Sequence, residues 1–276
     1  MKQENAPTLK EMFPGKPLPI FDTHCHLLEE AFDEDREDLI SRLKDASVVH
    51  VLEAGCAMED IPRVTDLCEK HPGFIYGAVG IHPHRADSFS EAVLPELYRA
   101  LLHPSIRAVG EIGLDYYYDF SPREDQKKCF DAQLSLAGSL GKPVVIHDRD
   151  AHGDCMDLLR AHRSSLSGVM HCFSGSYETA RDCLDLGLYI GVGGSVTFKN
   201  AKKFQDILPR IPLERILLET DSPYLTPVPF RGKRNDPGYI RLVIREISRI
   251  RPESEEVIAE TCLENGRTLF GISSDR

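Results

Sequence analysis

Residue types that bind metals recur along almost the whole of this chain, each at the end of a short run of β-forming residues. Asp22, His24 and His26 close I-F-D-T-H-C-H, Glu111 closes I-R-A-V-G-E, His147 closes P-V-V-I-H, His171 closes G-V-M-H, and Asp221 ends I-L-L-E-T-D. No single stretch of chain brings such distant positions together. A barrel of parallel strands does, because every strand then ends on one rim, and that rim is where such barrels carry out chemistry.

The rest of the pattern agrees. Apolar runs at 20–26, 48–55, 74–82, 106–112, 143–148, 168–172, 188–193 and 216–221 read as strands. Amphipathic stretches near 33–46, 58–70, 90–102, 122–140, 151–165, 176–186 and 199–208 read as helices between them, and two more follow near 237–250 and 254–268. In the stretch 122–140, Pro122 suits the first helical turn, Phe130, Leu134 and Ala137 recur at helical spacing, and Gly141 closes it. Alternating strands and helices imply a parallel sheet with right-handed crossovers. An open doubly wound sheet would place its site at one switch point. Here candidate residues follow strands 1, 4, 5, 6 and 8, and strands 1 and 8 are neighbours only if the sheet closes. The expectation is an α/β fold, a (β/α)8 TIM barrel with extra C-terminal helices. It forms one domain over 20–272, after a lead-in segment 1–19. The 276 residues suit a fold that typically takes about 250.

The lead-in is proline-rich and lacks a continuous apolar core, so it does not read as a secretory signal. No apolar run approaches the roughly 18 residues of a membrane span. Eight cysteines without a C-x-x-C pair suit a reducing cytoplasm better than a disulfide framework. Cys25 and Cys172 each follow a candidate histidine by one position. Strand alternation would turn both outward, between barrel and helices, as small buried thiols. A net charge of −11 repels phosphate backbones at long range and argues against a protein that coats nucleic acid. It leaves room for an enzyme that grips a few phosphates in one metal-filled cleft.

Alternate residues of a strand share a face, so Asp22, His24 and His26 should all point into the barrel mouth, where two imidazoles can bind one ion. A solvated histidine pair is the alternative. The Glu111 carboxylate can bridge two ions, and His147 and His171 would hold the second. Imidazoles with carboxylates suit Zn, Mn, Fe or Co better than Ca, and Mg is compatible. We therefore expect two divalent metal ions per chain, Zn, Mn or Mg. Asp221 can ligate an ion and also accept a proton from the attacking water. Glu219 shares its face one layer deeper. It could orient a histidine, act as a base behind the ligands, contact an extra ion, or be structural. Asp221, Glu111 and Glu219 are thus the catalytic candidates. Two ions roughly 3.5–4 Å apart activate a shared water and clamp the attacked group. That chemistry suits a phosphodiester, phosphotriester, amide or lactone.

Arg149 is two residues beyond His147 and should face the same cleft, and His84 follows the third strand in G-I-H-P-H. Both suit phosphate oxygens. His82 reads equally well as a buried, hydrogen-bonded ring. Arg231, Lys233 and Arg234 lie after strand 8, where barrels often hold phosphate; salt bridges would account for them as well. Gly191, Gly193 and Gly194 match no phosphate loop and suggest close backbone packing. Among Tyr116, Tyr117 and Tyr118, one is placed to stack on a base and at least one to pack under a helix. His50, His71, His103, His152 and His162 read as surface residues.

Together these motifs resemble the TatD family of metal-dependent deoxyribonucleases, within the amidohydrolase-like barrels. The resemblance runs from about residue 20 to about 270. It comprises F-D-T-H-C-H-L at 21–27, G-I-H-P-H at 80–84, G-E-I-G-L-D-Y at 110–116 and P-V-V-I-H-D-R-D-A at 143–151. It continues through H-C-F-S-G at 171–175, E-T-D-S-P-Y-L at 219–225, R-G-K-R-N at 231–235 and N-G-R-T-L-F-G at 265–271. It implies hydrolysis of DNA phosphodiesters with divalent metal, often 3′ to 5′ on single strands. It implies metal binding by His24, His26, Glu111, His147, His171 and Asp221, and phosphate contact by His84 and Arg149. The family more often has Ser than Asp at position 148, where Asp148 should face away from the metals. The lead-in is also longer than usual. Asn265 is expected to serve packing or capping.

The resulting expectation is a cytoplasmic, monomeric 3′–5′ exodeoxyribonuclease acting on single-stranded DNA, with no membrane association and no obligatory protein partner. The alternative is a two-metal hydrolase of a small amide, ester or phosphoester, since this barrel hosts many chemistries. Some related barrels bridge their ions with a modified lysine at the end of strand 4, where this chain has Glu111. A non-catalytic binding protein would predict a broken metal set, and this set is complete. The acidic composition is the main observation against DNA as substrate.

Overall fold

Eight β-strands pair in chain order, each parallel to the one before, from β1 to β8. The computed structural model describes residues 17–273, so the expected lead-in at 1–19 lies outside the described residues except for its last three. The strands are β1 (Ile20–Cys25), β2 (Val48–Ala54), β3 (Ile75–Val79), β4 (Ile106–Asp115), β5 (Val144–Arg149), β6 (Gly168–Met170), β7 (Tyr189–Val192) and β8 (Ile216–Leu218). The α-helices among the described residues are α1 (Arg36–Asp45), α2 (Ile61–Lys70), α3 (Leu94–Leu101), α4 (Arg123–Leu140), α5 (His152–Ala161), α6 (Tyr177–Asp185), α7 (Lys202–Ile207), α8 (Ile240–Ile250) and α9 (Glu255–Phe270). This is the TIM barrel that the alternation implied: α1–α7 lie between strands, α8 follows β8 as the eighth, and among the described residues α9 alone is an extra C-terminal helix, where two were expected. None of the described helices is long and apolar enough to cross a membrane.

The strands read as near-continuous apolar runs because both of their faces are buried. One face fills the barrel: Phe21, Leu52, Ala78, Ala108, Val145, Val169, Tyr189 and Leu217, one from each strand, pack as a single cluster. The other face, with Ile20, Val51, Val109, Val144 and Ile216, packs against the helices. Leu269, Phe270 and Ile272, at and beyond the end of α9, join the inner cluster and close its floor. His50 also belongs to this floor: it is buried, its ring lies 5.5 Å from that of Phe21, and Nδ1 meets the Gly73 carbonyl at 3.0 Å. It is therefore not the surface residue expected from sequence. His71, His103, His152 and His162 do lie toward the surface, each beside a carboxylate.

Two irregularities aim the opposite rim. Between Asp22 and Cys25, β1 advances three residues while β2 advances two, and β4 does the same against β5 between Val109 and Ile112. Each is a bulge that resets the side-chain phase. His24 and Glu111 lie three residues beyond the inward Phe21 and Ala108, and the bulges turn them inward too. Strict alternation fails here, and Asp22 does not share the direction of His24. Asp22 instead turns toward the segment after β8.

That contact closes the barrel. Asp22 accepts from the Thr220 hydroxyl at 2.6 Å and the Thr220 amide at 3.0 Å. The Thr23 hydroxyl donates to Leu218 O at 2.9 Å, the Asp221 amide to His24 O at 2.9 Å, and the His26 amide to Ser222 O at 2.8 Å. Asn235 holds the same loop from outside, donating to the Thr220 and Tyr224 carbonyls at 2.9 and 2.6 Å. Asn265, on α9, donates to the Leu213 and Ile216 carbonyls at 2.9 and 2.8 Å, the packing role expected of it. Thr220→Val removes the hydroxyl donor from a buried carboxyl group. It should lower unfolding free energy by about 1–3 kcal/mol in urea titrations. A change indistinguishable from zero would mean the seam is held elsewhere.

Candidate metal centre

Glu111 lies buried at the centre of the rim with its two oxygens facing different partners. Oε2 is 3.3 Å from His24 Nε2 and 3.7 Å from His26 Nε2. Asp221 Oδ1 completes that group, 3.7 Å from His24 Nε2 and 3.4 Å from His26 Nε2. Oε1 faces the other way, 2.8 Å from His147 Nδ1, 3.3 Å from His171 Nε2 and 3.5 Å from His82 Nε2. Three donor atoms converge closely enough for an ion in His24–His26–Asp221, His24–Glu111–His171, His26–Cys56–Glu111 and His82–Glu111–His147.

The rings are aimed by groups behind them. His26 Nδ1 meets the Ala54 carbonyl at 3.0 Å, which leaves Nε2 as the lone-pair nitrogen. Nε2 of His24 is only 3.1 Å from it, so a proton or a cation must lie between the two rings. His147 Nε2 meets Asp115 Oδ2 at 3.0 Å, freeing Nδ1 for the cluster. His171 Nδ1 is 3.4 Å from Glu219 Oε1, and that oxygen also accepts the Cys172 amide at 2.6 Å. Glu219 is thus placed behind His171, with Oε2 buried and lacking a hydrogen-bond partner. Gly191 makes room for it, since a Cβ there would come 2.6 Å from Glu219 Oε2. A Cβ on Gly194 would come 2.1 Å from Leu225 O, so close packing accounts for these glycines.

Helix α4 braces the same rim. Its Gln133 accepts from the Ile81 amide at 2.8 Å and donates to the Ile81 carbonyl at 3.1 Å, next to His82. Two turns earlier on the same face, Gln126 accepts from the Asp115 amide at 2.8 Å and donates to the Asp115 and Ser121 carbonyls. Paired backbone contacts of this kind fix the segments that carry His82 and Asp115.

The electrostatics suit cation binding. Burial would raise Glu111, but the imidazoles of His171, His82 and His24 and the hydrogen bond to His147 hold it well below the usual carboxylate range. Burial likewise opposes, and the hydrogen bond from His26 and the charge of His171 outweigh it, so Asp221 is also lowered. Burial, then neighbouring His171, lowers His24, and burial brings His82 down to about 4. The two carboxylates are thus held anionic and His24 and His82 are pushed toward the lone-pair form, while against the effect of burial His26, His147 and His171 are raised by the groups beside them and would give up a proton to a bound cation. His24 Nδ1 and Glu219 Oε2 are buried without hydrogen-bond partners among the described residues. This donor set fits divalent cations.

All six residues expected to bind metal come together here. His84 and Arg149 stand at the edge, on the side of β4 and β5: His84 Nε2 meets Asp115 Oδ2 at 3.0 Å, and the exposed Arg149 guanidinium lies 4.0 Å from the Tyr117 ring centroid. Asp148 turns away, as expected, to pair with His152 on α5. Arg234 forms a two-pronged pair with Asp35 at 2.7 and 2.8 Å, which decides for the salt-bridge reading of that residue. Cys25 is buried against the helices, but Cys172 departs from expectation. It lies beyond β6, half-buried, with φ of 47°, so strand alternation does not govern it.

Sequence reasoning left His82 open between the cleft and a buried ring, and missed Cys56 and Asp115. His82 carried a signal in H-P-H after β3, while Cys56 and Asp115 lie past the expected strand ends. It also placed Glu111 at the end of its strand, whereas β4 continues to Asp115. Glu219→Gln should leave the fold intact and lower metal affinity about 10–100-fold, measured by chelator competition. Unchanged affinity would limit Glu219 to packing.

Comparison with known proteins identifies the family. The family model described as TatD related DNase matches residues 21–271. A metal-dependent hydrolase of Bacillus subtilis, YabD, is 41% identical over 255 residues, covering 92% of this chain and 100% of that protein. The 3′-5′ ssDNA/RNA exonuclease TatD of Pantoea vagans is 35% identical over 260 residues, covering 92% and 100%. The crystal structure of YjjV, a TatD homologue from Escherichia coli K12, superposes with a TM-score of 0.87 at 35% identity, covering 92% and 98%. A family match spanning nearly the whole chain, set on a complete donor cluster, places this protein in the TatD related DNase family.

Proposed function

We propose that this chain is a metal-dependent hydrolase of DNA phosphodiester bonds, acting as a 3′–5′ exonuclease on single strands. The observation that carries the reading is Glu111, whose oxygens address two separate donor groups. Such an arrangement suits two divalent ions, Zn, Mn or Mg, with His24, His26 and Asp221 on one side, His147 and His171 on the other, and Glu111 shared. Bound there, the ions would act as Lewis acids on the phosphoryl oxygens and make water more acidic. Relatives named as 3′-5′ ssDNA/RNA exonucleases favour a nucleic acid over a small ester or amide.

The chain's own groups then divide the work. The Asp221 carboxylate, half-buried and anionic, takes the proton of the attacking water. Glu219 keeps the His171 ring in place. Arg149 and His84 hold the phosphate on its far side, and Asp115 fixes His84. The net charge of −11 makes long-range attraction weak, so binding rests on these local contacts and should be salt-sensitive. The same reading takes residues 20–272 as the unit that carries the activity, as a monomer. Its free cysteines suit a reducing cytoplasm.

A time course on a 5′-labelled single-stranded oligonucleotide tests the reading, using enzyme stripped of metal and refilled separately with Mg, Mn or Zn. A metal-dependent ladder shortening from the 3′ end, absent in His171→Ala, is expected. An intact oligonucleotide with confirmed metal loading would move the assignment to a small-molecule substrate. Arg149→Ala should reduce cleavage about tenfold or more, as loss of a charged hydrogen bond does, and leave metal content unchanged. Metal content falling as far as activity would remove Arg149 from the substrate.

A further inference from the structure

Beside the metal centre, the segment after β4 exposes three large rings within four positions: Tyr117 at 58%, Tyr118 at 48% and Phe120 at 66%. The neighbouring Tyr116 shows what ordinary packing looks like here. It packs against the core, its hydroxyl meets Asp154 at 2.6 Å, and Arg123 covers its ring. The other three make no comparable burial. Tyr118 and Phe120 stack on each other, with centroids 5.2 Å apart and planes 20° apart. His84 stands edge-on to both, at 5.3 and 4.9 Å, and its ring is 6.2 Å from that of His147. The rings therefore form a shelf that begins one histidine away from the donor cluster.

We propose that Tyr118 and Phe120 form a base-stacking subsite, taking an unpaired nucleobase of a single strand whose phosphate lies against Arg149. This inference rests on the nuclease reading above. An exposed aromatic pair offers a flat face to any base, and a cation beside it offers charge to the phosphate. Arg149 supplies that cation, its guanidinium 4.0 Å from the Tyr117 centroid and 4.8 Å from the Tyr118 centroid. Shelf and cluster are aligned by one carboxylate. Asp115 Oδ1 accepts the Tyr117 and Tyr118 amides at 3.0 and 2.8 Å, and Oδ2 meets both His84 and His147 at 3.0 Å.

The opposite approach does not suit a polyanion. A cavity of about 220 Å³ beside His26 is lined by Glu29, Glu30, Glu53 and Asp60, and its cation, Arg63, is held by the Leu28 carbonyl at 2.9 Å. The proposed subsite instead has a strand approach across β4 and β5, over the shelf, where Arg149 is exposed. Because stacking reads a π-face rather than hydrogen-bonding edges, the subsite accepts all bases with little preference.

The test compares two 5′-labelled single-stranded oligonucleotides, one intact and one with abasic residues at its last two 3′ positions. Metal-loaded wild-type protein, the double variant Tyr118→Ala/Phe120→Ala, and Tyr118→Phe are measured for kcat and KM. Wild type should favour the base-bearing oligonucleotide about tenfold in kcat/KM. The double variant should lose that preference, chiefly through KM, and Tyr118→Phe should keep it. Both truncated rings are exposed, so circular dichroism should show an unchanged fold. Equal cleavage of both oligonucleotides by wild type, or a preference surviving in the double variant, would overturn the subsite. Cleavage of neither by loaded wild type would overturn the nuclease reading, and the subsite with it.

Discussion

The Glu111 carboxylate is the contact on which the rest of this rim depends. A buried carboxylate is costly unless opposing groups hold its charge. Here imidazoles from β1, β5 and the segments after β3 and β6 surround it, and they keep it ionised against the effect of burial. In turn its oxygens set the spacing of two histidine groups that share no stretch of sequence. Each histidine is then aimed by a group behind it: Ala54 O for His26, Asp115 for His147, Glu219 for His171.

A site assembled from several strand ends is only as firm as the barrel that carries it. This barrel closes through polar contacts rather than a full ladder between its first and last strands. Asp22 and Thr220 lie at that seam, and Asn235 and Asn265 tie the flanking loop and α9 to it. Asp221 follows directly, at φ of 56°, a conformation that non-glycine residues hold only when their surroundings over-determine it. The hydrogen bonds to His24 O and from Asn235 supply that constraint. Gln126 and Gln133 do the same for the far side of the rim from α4. Glutamine in a helix reads as solvent-facing in sequence, yet both are buried here because each satisfies a backbone amide and carbonyl together.

The barrel was legible because strand–helix alternation and burial on both strand faces leave a plain pattern, and because His24, Glu111, His147, His171 and Asp221 punctuate it. What escaped was phase. A bulge adds a residue without changing composition, so the turning of His24 and Glu111, and the departure of Asp22, left no periodic trace. Cys172 escaped for a related reason, since β6 ends at Met170, two residues earlier than expected. The shelf was half visible: a run of tyrosines announced aromatic exposure, but which rings pack and which face solvent depends on Asp154, Arg123 and Asp115, all fixed by tertiary contact. Arg234 likewise reads equally as a phosphate ligand or a salt-bridge partner until Asp35, remote in sequence, is seen to hold it.

The acidic composition and a polyanionic substrate are reconciled by geometry. Glu29, Glu30 and Asp60 line the cavity beside His26, whereas beside the rings Arg149 is exposed and Asp119 is paired with Arg123. The central claim is that Glu111 joins two metal positions. Anomalous diffraction at the zinc edge from crystals of the zinc-loaded protein tests it most directly. The account predicts two peaks, one against Glu111 Oε2 among His24, His26 and Asp221, the other against Oε1 beside His147 and His171. A single peak, or two peaks neither of which contacts Glu111, would contradict it.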